Sequence, residues 1–253
     1  AYGGTDEQKT DILPQLLSGE KIAAYVHDAY LTADGDVLTA KDDFVAHGAS
    51  ASLFVVTSNT GAWVIDADAP GVTVTAMTTM DQTRPLAKVS LKGVKAQPLA
   101  DPATAIAKAH QAAFIAVAAE ALGGAQACLD RTVTYSKERV QFGRQIGSFQ
   151  AYKHRLADMM IEIEQARSAV YWAACAADEA SDEAEIAMHA AKAFATDTYF
   201  RCAGDMIQLH GGIGFTWEHD AHLFFKRARA TQSALGNNNW HRSKIADMIL
   251  GAA

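Results

Sequence analysis

Two hydrophobic periods divide the chain. Between residues 22 and 98 the apolar positions fall in short runs rich in Val, Thr, Leu and Phe: YVHDAYLTADGDVL, SLFVVTSNTGAWVID, VTVTAM and AKVSLKGV. Runs of that length predict strands. Asp34-Gly35 and Asn59-Thr60-Gly61 interrupt them as hairpin turns do, so residues 22–101 are expected to form a small antiparallel β domain. From residue 102 onward alanine becomes abundant and the period changes. Phe149, Tyr152, Leu156, Met159, Ile163, Ala166 and Val170 recur every three or four residues, which is one face of a helix.

Residues 102–253 are therefore expected to be a bundle of long helices. Ser148 is the predicted N-cap of the longest, which would measure about 45 Å if continuous to Asp178. Gly123-Gly124 is expected to bend or loosen the first helix, and Gly211-Gly212 to end the third. Residues 1–21, with EQKTDILPQLLSGE, suggest a helix terminus and an exit turn rather than a separate domain.

Composition narrows the functional classes. The 253 residues, 49% hydrophobic and 20% charged, suffice for one large domain or two smaller ones with real cores. A formal charge of −7 argues against nucleic acid and against an anionic membrane surface. No apolar run reaches the roughly 18 residues a membrane span requires, and the start of the chain lacks a signal pattern. Cys128, Cys175 and Cys202 are odd in number and far apart, which suggests neither a disulfide framework nor a metal cluster. A reducing compartment and a cytoplasmic protein are the expectation.

The candidate chemistry lies in two stretches. QLHGGIGFTWEHD, residues 208–220, follows a helix instead of a strand and has no Lys-Ser or Lys-Thr pair. It is thus neither a dinucleotide fingerprint nor a phosphate loop, and alone it reads as a glycine-rich helix stop. YSKERVQFGRQIGSFQAYKHRLADM, residues 135–159, sets Arg139, Gln141 and Phe142 before a turn at Gly143, then Phe149 and Gln150 at the head of the longest helix. An arginine, an aromatic ring and two amides at a helix junction can hold a phosphate and a flat ring together, or can form a solvated turn with one buried Phe. Glu218 and Asp220 read as solvated or paired with Arg or Lys. His210, His219 and His222 lack metal-ligand spacing, and KRARA at 226–230 suits pairing with carboxylates.

In that order and spacing, ERVQFGRQIGSFQ, ADM, EQAR, AAKAFATD and QLHGGIGFTWEHD resemble the C-terminal helical domain of acyl-CoA dehydrogenases. The similarity is strong over residues 102–250 and loose over 1–100. It implies an α+β protein: an N-terminal helical domain, here mostly absent apart from residues 1–21, then a β domain and a four-helix bundle that builds a tetramer. It also implies FAD, gripped between subunits by the neighbouring chain. By motif the gripping residues are Arg139 on the pyrophosphate, Gln141, Phe142 on the adenine side, Gln150, Gln208, Leu209, His210, Gly211 and Gly212. The glycines would let backbone approach a cofactor held by another subunit.

Departures from the family pattern shape the functional expectation. AAYVHDAYLTADGDV stands where the family has Thr-Glu-Pro and Gly-Ser-Asp, and Ala46 in FVAHG, residues 44–48, lacks the usual threonine hydroxyl. The two positions at which the family carries its base align with Leu235 and Ala113, neither of which accepts a proton. GNNNW would be a turn replacing the loop that carries the usual base.

The chain then reads as a non-catalytic subunit of a heteromeric α2β2 acyl-CoA dehydrogenase of the actinobacterial kind. It has no catalytic residue and no metal. A full-length partner would supply the base and most of the acyl-CoA site, and a steroid side-chain thioester is the plausible substrate. The reaction implied is loss of an α-proton to the partner's carboxylate with hydride passing to flavin N5. The alternatives are a self-sufficient oxidase or flavin monooxygenase of the same fold, and a non-enzymatic structural relative.

Overall fold

The computed structural model describes residues 1–27 and 30–251; Asp28 and Ala29, within the stretch that departs from the family pattern, lie outside the described residues. Two compact units, Ala1–His110 and Gln111–Ala253, share the chain.

The first unit opens with α1 (Asp6–Ser18), started by a capping box in which Thr5 and Gln8 satisfy one another's backbone amides and stopped by Gly19. Strands β1 (Ala23–Val26), β2 (Leu31–Asp34), β3 (Val37–Ala46), β4 (Leu53–Ser58), β5 (Gly61–Asp66), β6 (Val72–Met77), β7 (Leu86–Lys95) and β8 (Gln97–Pro98) follow. They form two sheets, ordered β1-β4-β5-β8 and β2-β3-β7-β6. Both expected hairpins are present: Asp34 pairs with Val37, and Ser58 with Gly61. One pairing differs from the expected antiparallel unit, because β1 runs parallel to β4. The whole β2–β3 hairpin intervenes between them, so β4 returns in the direction of β1. Ser52 anchors the return by hydrogen bonds with the backbone of Ile22. Alternating positions of β7 bury Ala87, Val89 and Leu91, the last two in one core with Phe54, Val56, Ile65 and Leu38.

α2 (Pro102–Glu138) begins in the first unit and continues into the second, which also holds α3 (Gln150–Asp178), α4 (Ala184–His210), α5 (Ala221–Ser233) and α6 (Asn238–Leu250). The expected periodicity of α3 is buried from Met159 through Ile163 and Ala166 to Val170. Three expectations need correction. Ser148 is not the N-cap: it lies in the preceding 3-10 turn with its hydroxyl donating to the Gln145 carbonyl at 2.6 Å, and Phe149 takes the cap position. Gly123-Gly124 does not interrupt α2, because Gly124 is a notch filled by the ring of Tyr199. α2 is also long and apolar enough to cross a membrane by length and composition, its many alanines raising the mean hydropathy. Its Ala118, Ala121, Ala125 and Cys128 are nonetheless buried in the core of the second unit.

A polar spine crosses that core. Lys192 is fully buried and donates to the carbonyls of Gln232 at 3.0 Å and Gly236 at 2.6 Å and to Asn238 Oδ1 at 3.2 Å. Burial pulls its ammonium down to about 8. His241 faces the Leu235 carbonyl through Nε2 at 3.2 Å and His189 Nδ1 through its own Nδ1 at 2.7 Å. A carbonyl only accepts, so His241 carries its proton on Nε2 and His189 donates from Nδ1. Burial, with Lys192 and His189 beside it, lowers His241 to about 3. These contacts fix the turn between α5 and α6, where Leu235 adopts a left-handed φ of 54°.

Candidate functional site

The site grows from the two helix ends that the sequence singled out. Where α2 stops, β9 (Val140–Gln141) and β10 (Arg144–Gln145) pair as a two-residue hairpin. Phe142 and Gly143 make its turn with φ of 54° and 77°, both positive as the right-handed twist of a tight hairpin demands. Glycine accepts that conformation freely, whereas for phenylalanine it is strained. The Phe142 ring stands out in solvent, 91% exposed. Ile146 N–H donates to the Arg139 carbonyl at 2.9 Å, and Gly147 fits against Ser136 where a Cβ would lie 2.8 Å from the hydroxyl oxygen. The Arg144 guanidinium sits 4.1 Å from the centre of the Phe149 ring, whose other neighbour is the Phe142 ring at 6.2 Å.

The second helix end is that of α4. Gly211 caps it with φ 65°, and a 3-10 turn, Gly211–Phe215, follows. The three glycines have separate causes. Gly211 supplies the conformation, and Gly214 has no room for a Cβ beside the Ile207 carbonyl. Gly212 faces open space, so its lack of a side chain leaves backbone accessible from outside.

Two tyrosines join the ends. Tyr152 on α3 donates its hydroxyl to the Leu209 carbonyl at 2.9 Å, and Tyr135 on α2 donates to the His210 carbonyl at 3.4 Å. Burial pushes the Tyr152 hydroxyl up to about 12, so it stays a donor. The Tyr135 ring stacks on His210 at 4.5 Å. His210 donates from Nδ1 to the Met206 carbonyl at 2.7 Å, and burial lowers its affinity for a second proton. Its Nε2 is thus an acceptor at neutral pH.

Together these parts line a groove of roughly 620 Å³. It gathers Arg139, Gln141, Phe142, Gln208, Leu209, His210, Gly211 and Gly212, which are eight of the nine residues expected from sequence. Gln150 is exposed at the first turn of α3 and does not line the groove. Tyr135, Ile146, Phe149, Tyr152 and Ile213 complete the wall. Tyr135 was legible in principle, standing one helical turn before Arg139. Tyr152 belongs to the three-and-four-residue periodicity of α3, which gives no sign that it also lines the groove. A smaller cleft of about 350 Å³ shares Tyr135 and His210 and adds Asp130, Arg131, Thr134, Glu138 and His219.

The groove suits an elongated anionic ligand with a flat ring. The Arg139 side chain is exposed and in no ion pair among the described residues, and an exposed aromatic ring stands beside it. Open backbone at a helix end adds polar groups to these two. Those are the requirements of the FAD pyrophosphate and adenine end, so the residues fit that part of the cofactor. Of the other candidates, Asp220 pairs with Arg131 at 3.0 Å and Arg227 with Glu120 at 2.7 Å. Asn237, in GNNNW, caps α6 through its side chain. Leu235 and Ala113 offer no group that takes a proton.

Comparison with known proteins bears on the family and the fold. Residues 102–250 match the acyl-CoA dehydrogenase C-terminal domain. Acyl-CoA dehydrogenase IpdE2 of Mycobacterium tuberculosis is 40% identical over 88% of this chain and 61% of its own length. Among solved structures, butyryl-CoA dehydrogenase of Megasphaera elsdenii superposes with a TM-score of 0.88 at 28% identity, covering 98% of this chain and 73% of that one. The Tcur3481-Tcur3483 steroid ACAD gives 0.88 at 30% identity over 98% and 72%. The chain spans about three fifths of the length of the IpdE2 relatives.

Proposed function

The chain belongs to the acyl-CoA dehydrogenase family, and from that premise we propose that it serves as one subunit of a heteromeric, FAD-dependent acyl-CoA dehydrogenase that completes the cofactor site of a longer partner. The observation that carries the reading is the groove itself. Exposed Arg139, exposed Phe142 and open backbone at Gly212 converge on one side of the second unit, facing outward.

Each residue has a defined task. Arg139 would neutralise and orient the pyrophosphate, two donors of its planar fork meeting phosphate oxygens. Phe142 would lie against the adenine side. The glycine backbone would meet the phosphates, with the amides of Gln141 and Gln208 around them. Tyr152 and Tyr135, in the wall of the groove, hold the α4 end in place. FAD, when bound, supplies the hydride acceptor for α,β-desaturation of an acyl-CoA thioester.

This chain would not remove the substrate proton, since Leu235 and Ala113 stand where the family resemblance expects the base. The partner would bring that carboxylate and most of the acyl-CoA pocket. A steroid side-chain thioester as substrate is supported by the likeness to the steroid ACAD, whose name pairs two designations.

Purification alone and after co-expression with the companion chain tests the reading. Visible flavin absorbance is expected only with the companion, at one FAD per unequal pair. Stoichiometric FAD and thioester oxidation by this chain alone would sink it and favour a self-sufficient flavoenzyme.

A further inference from the structure

The His210 side chain is buried, 4% exposed, with half of its hydrogen-bonding capacity spent. Nδ1 donates to the Met206 carbonyl at 2.7 Å, and no described residue bonds to Nε2. An acceptor left over in a buried ring calls for a donor from outside the chain. The ring stands in the wall that the groove shares with the smaller cleft, so a molecule occupying both would meet it.

Neighbouring rings hold the imidazole still. Tyr135 stacks on it at 4.5 Å and 21°, and His219 lies against it at 4.4 Å and 42°. His219 Nδ1 accepts from the Ala221 N–H at 3.1 Å, which leaves Nε2 as its own N–H. The two histidines thus put an acceptor and a donor side by side in the cleft wall.

The charged groups of the cleft narrow the ligand further. They are Asp130, Arg131 and Glu138; Glu218, in the turn nearby, does not line it. Arg131 is taken by Asp220 at 3.0 Å and covers the Phe224 ring at 5.2 Å. Asp130 accepts from the Gln126 amide at 2.9 Å through one oxygen. Glu138 is exposed and makes no ion pair or hydrogen bond among the described residues. The spare groups are mostly acceptors, and their spare charge is negative. Arg139, next in the chain after Glu138, lines the groove and not the cleft, so phosphate and its neighbour have separate seats.

A hydroxyl both donates and accepts, so the adjacent hydroxyls of a ribose satisfy this set, as acidic side chains do at other nucleotide riboses. A phosphate on that ribose would instead face Asp130 and Glu138. We propose that the cleft is a ribose-reading subsite, in which His210 Nε2 accepts from one hydroxyl of a nucleotide sugar and Glu138 and Asp130 accept from the next. The chain thereby selects nucleotides whose ribose is unphosphorylated. The proposal deepens the cofactor reading above, from which it takes the seat of the phosphates in the groove.

Calorimetric titration of the purified full chain, with nitrogen NMR of its histidine rings, tests it. The probes are ADP, the dideoxy analogue lacking both ribose hydroxyls, ADP phosphorylated on its ribose, and pyrophosphate. ADP is expected to bind about tenfold tighter than either altered nucleotide. The His210 Nε2 resonance should move with ADP and not with the dideoxy analogue. His210→Asn keeps a donor for Met206 but loses the outer acceptor, so its ADP affinity should fall to the dideoxy level while its pyrophosphate affinity holds. His210→Gln, whose amide oxygen reaches the Nε2 position, should recover part of the loss. Equal affinities for ADP and the dideoxy analogue, or an unmoved Nε2 resonance in the wild type, overturn the subsite whether or not the variants fold, and leave pyrophosphate in the groove untouched. Ribose-phosphorylated ADP binding as tightly as ADP overturns it in favour of a phosphate seat at Arg131. Hydroxyl-dependent ADP binding with no pyrophosphate binding and no response to Arg139→Ala would sink the cofactor reading and leave the sugar subsite standing. Binding of none of the probes overturns both.

Discussion

The ring of Tyr199 on α4 occupies the space that a side chain at position 124 of α2 would fill, so Gly124 and Tyr199 are knob and notch between two helices. Gly124→Ala would put its methyl group into that ring and should cost about 1–3 kcal/mol. The neighbouring Gly123 meets nothing within 4 Å, and Gly123→Ala should stabilise the helix by about 0.5–1 kcal/mol. Urea unfolding of both variants checks the pair. Equal effects would remove the packing account of the double glycine.

Arg139→Ala is expected to raise the FAD dissociation constant of the assembled complex about tenfold to a hundredfold, as the loss of a charge-assisted contact implies. Arg139→Lys keeps the charge without the fork and should fall between. Flavin retained after desalting is the measurement, and an unchanged value in the alanine variant would take Arg139 out of the site.

Phe142 trades stability for presentation. Phe142→Gly relieves the left-handed strain and should stabilise the chain by about 1 kcal/mol, while flavin retention falls. A thermal melt and a flavin assay on one variant separate the two effects. Loss of stability together with flavin would mean the ring packs more than it displays.

The acid limb of stability should carry the signature of His241. Its folded pKa lies near 3 and its ordinary value near 6.5, so the unfolded chain binds the extra proton first. The stability it contributes is present above about 6.5 and is lost as pH falls toward 3. Lys192, depressed from 10.5 to about 8, adds stability as pH rises between those values. Urea midpoints against pH should be flatter below 6.5 for His241→Asn than for wild type. Parallel acid limbs would rule out His241 as their source.

Much of this was written in local pattern. The change of period at Pro102, the helix stop at Gly211 and the hairpin turns at Asp34-Gly35 and Asn59-Thr60 are short-range features, and the structure has them all. Eight expected groove residues meet because two helix ends carry them in compact motifs. What escaped depends on distant partners. Gly124 reads as a helix breaker until Tyr199 is known to face it. Lys192, His189 and His241 look like surface positions until α4, α5 and α6 enclose them. The cap of α3 slipped by one residue because the Ser148 hydroxyl turns back to Gln145 instead of forward into the helix.

The parallel pairing of β1 with β4 also orders events in time. β2 and β3 can zip as soon as they leave the ribosome, but Ala23 must wait for Leu53, and Ile22 for the hydroxyl of Ser52 thirty positions later. During synthesis β1 is a bare edge with its backbone unclaimed, open to strands of neighbouring nascent chains. A pause in synthesis between residues 27 and 52 would lengthen that window, because the partner of β1 is the last of the four strands to emerge.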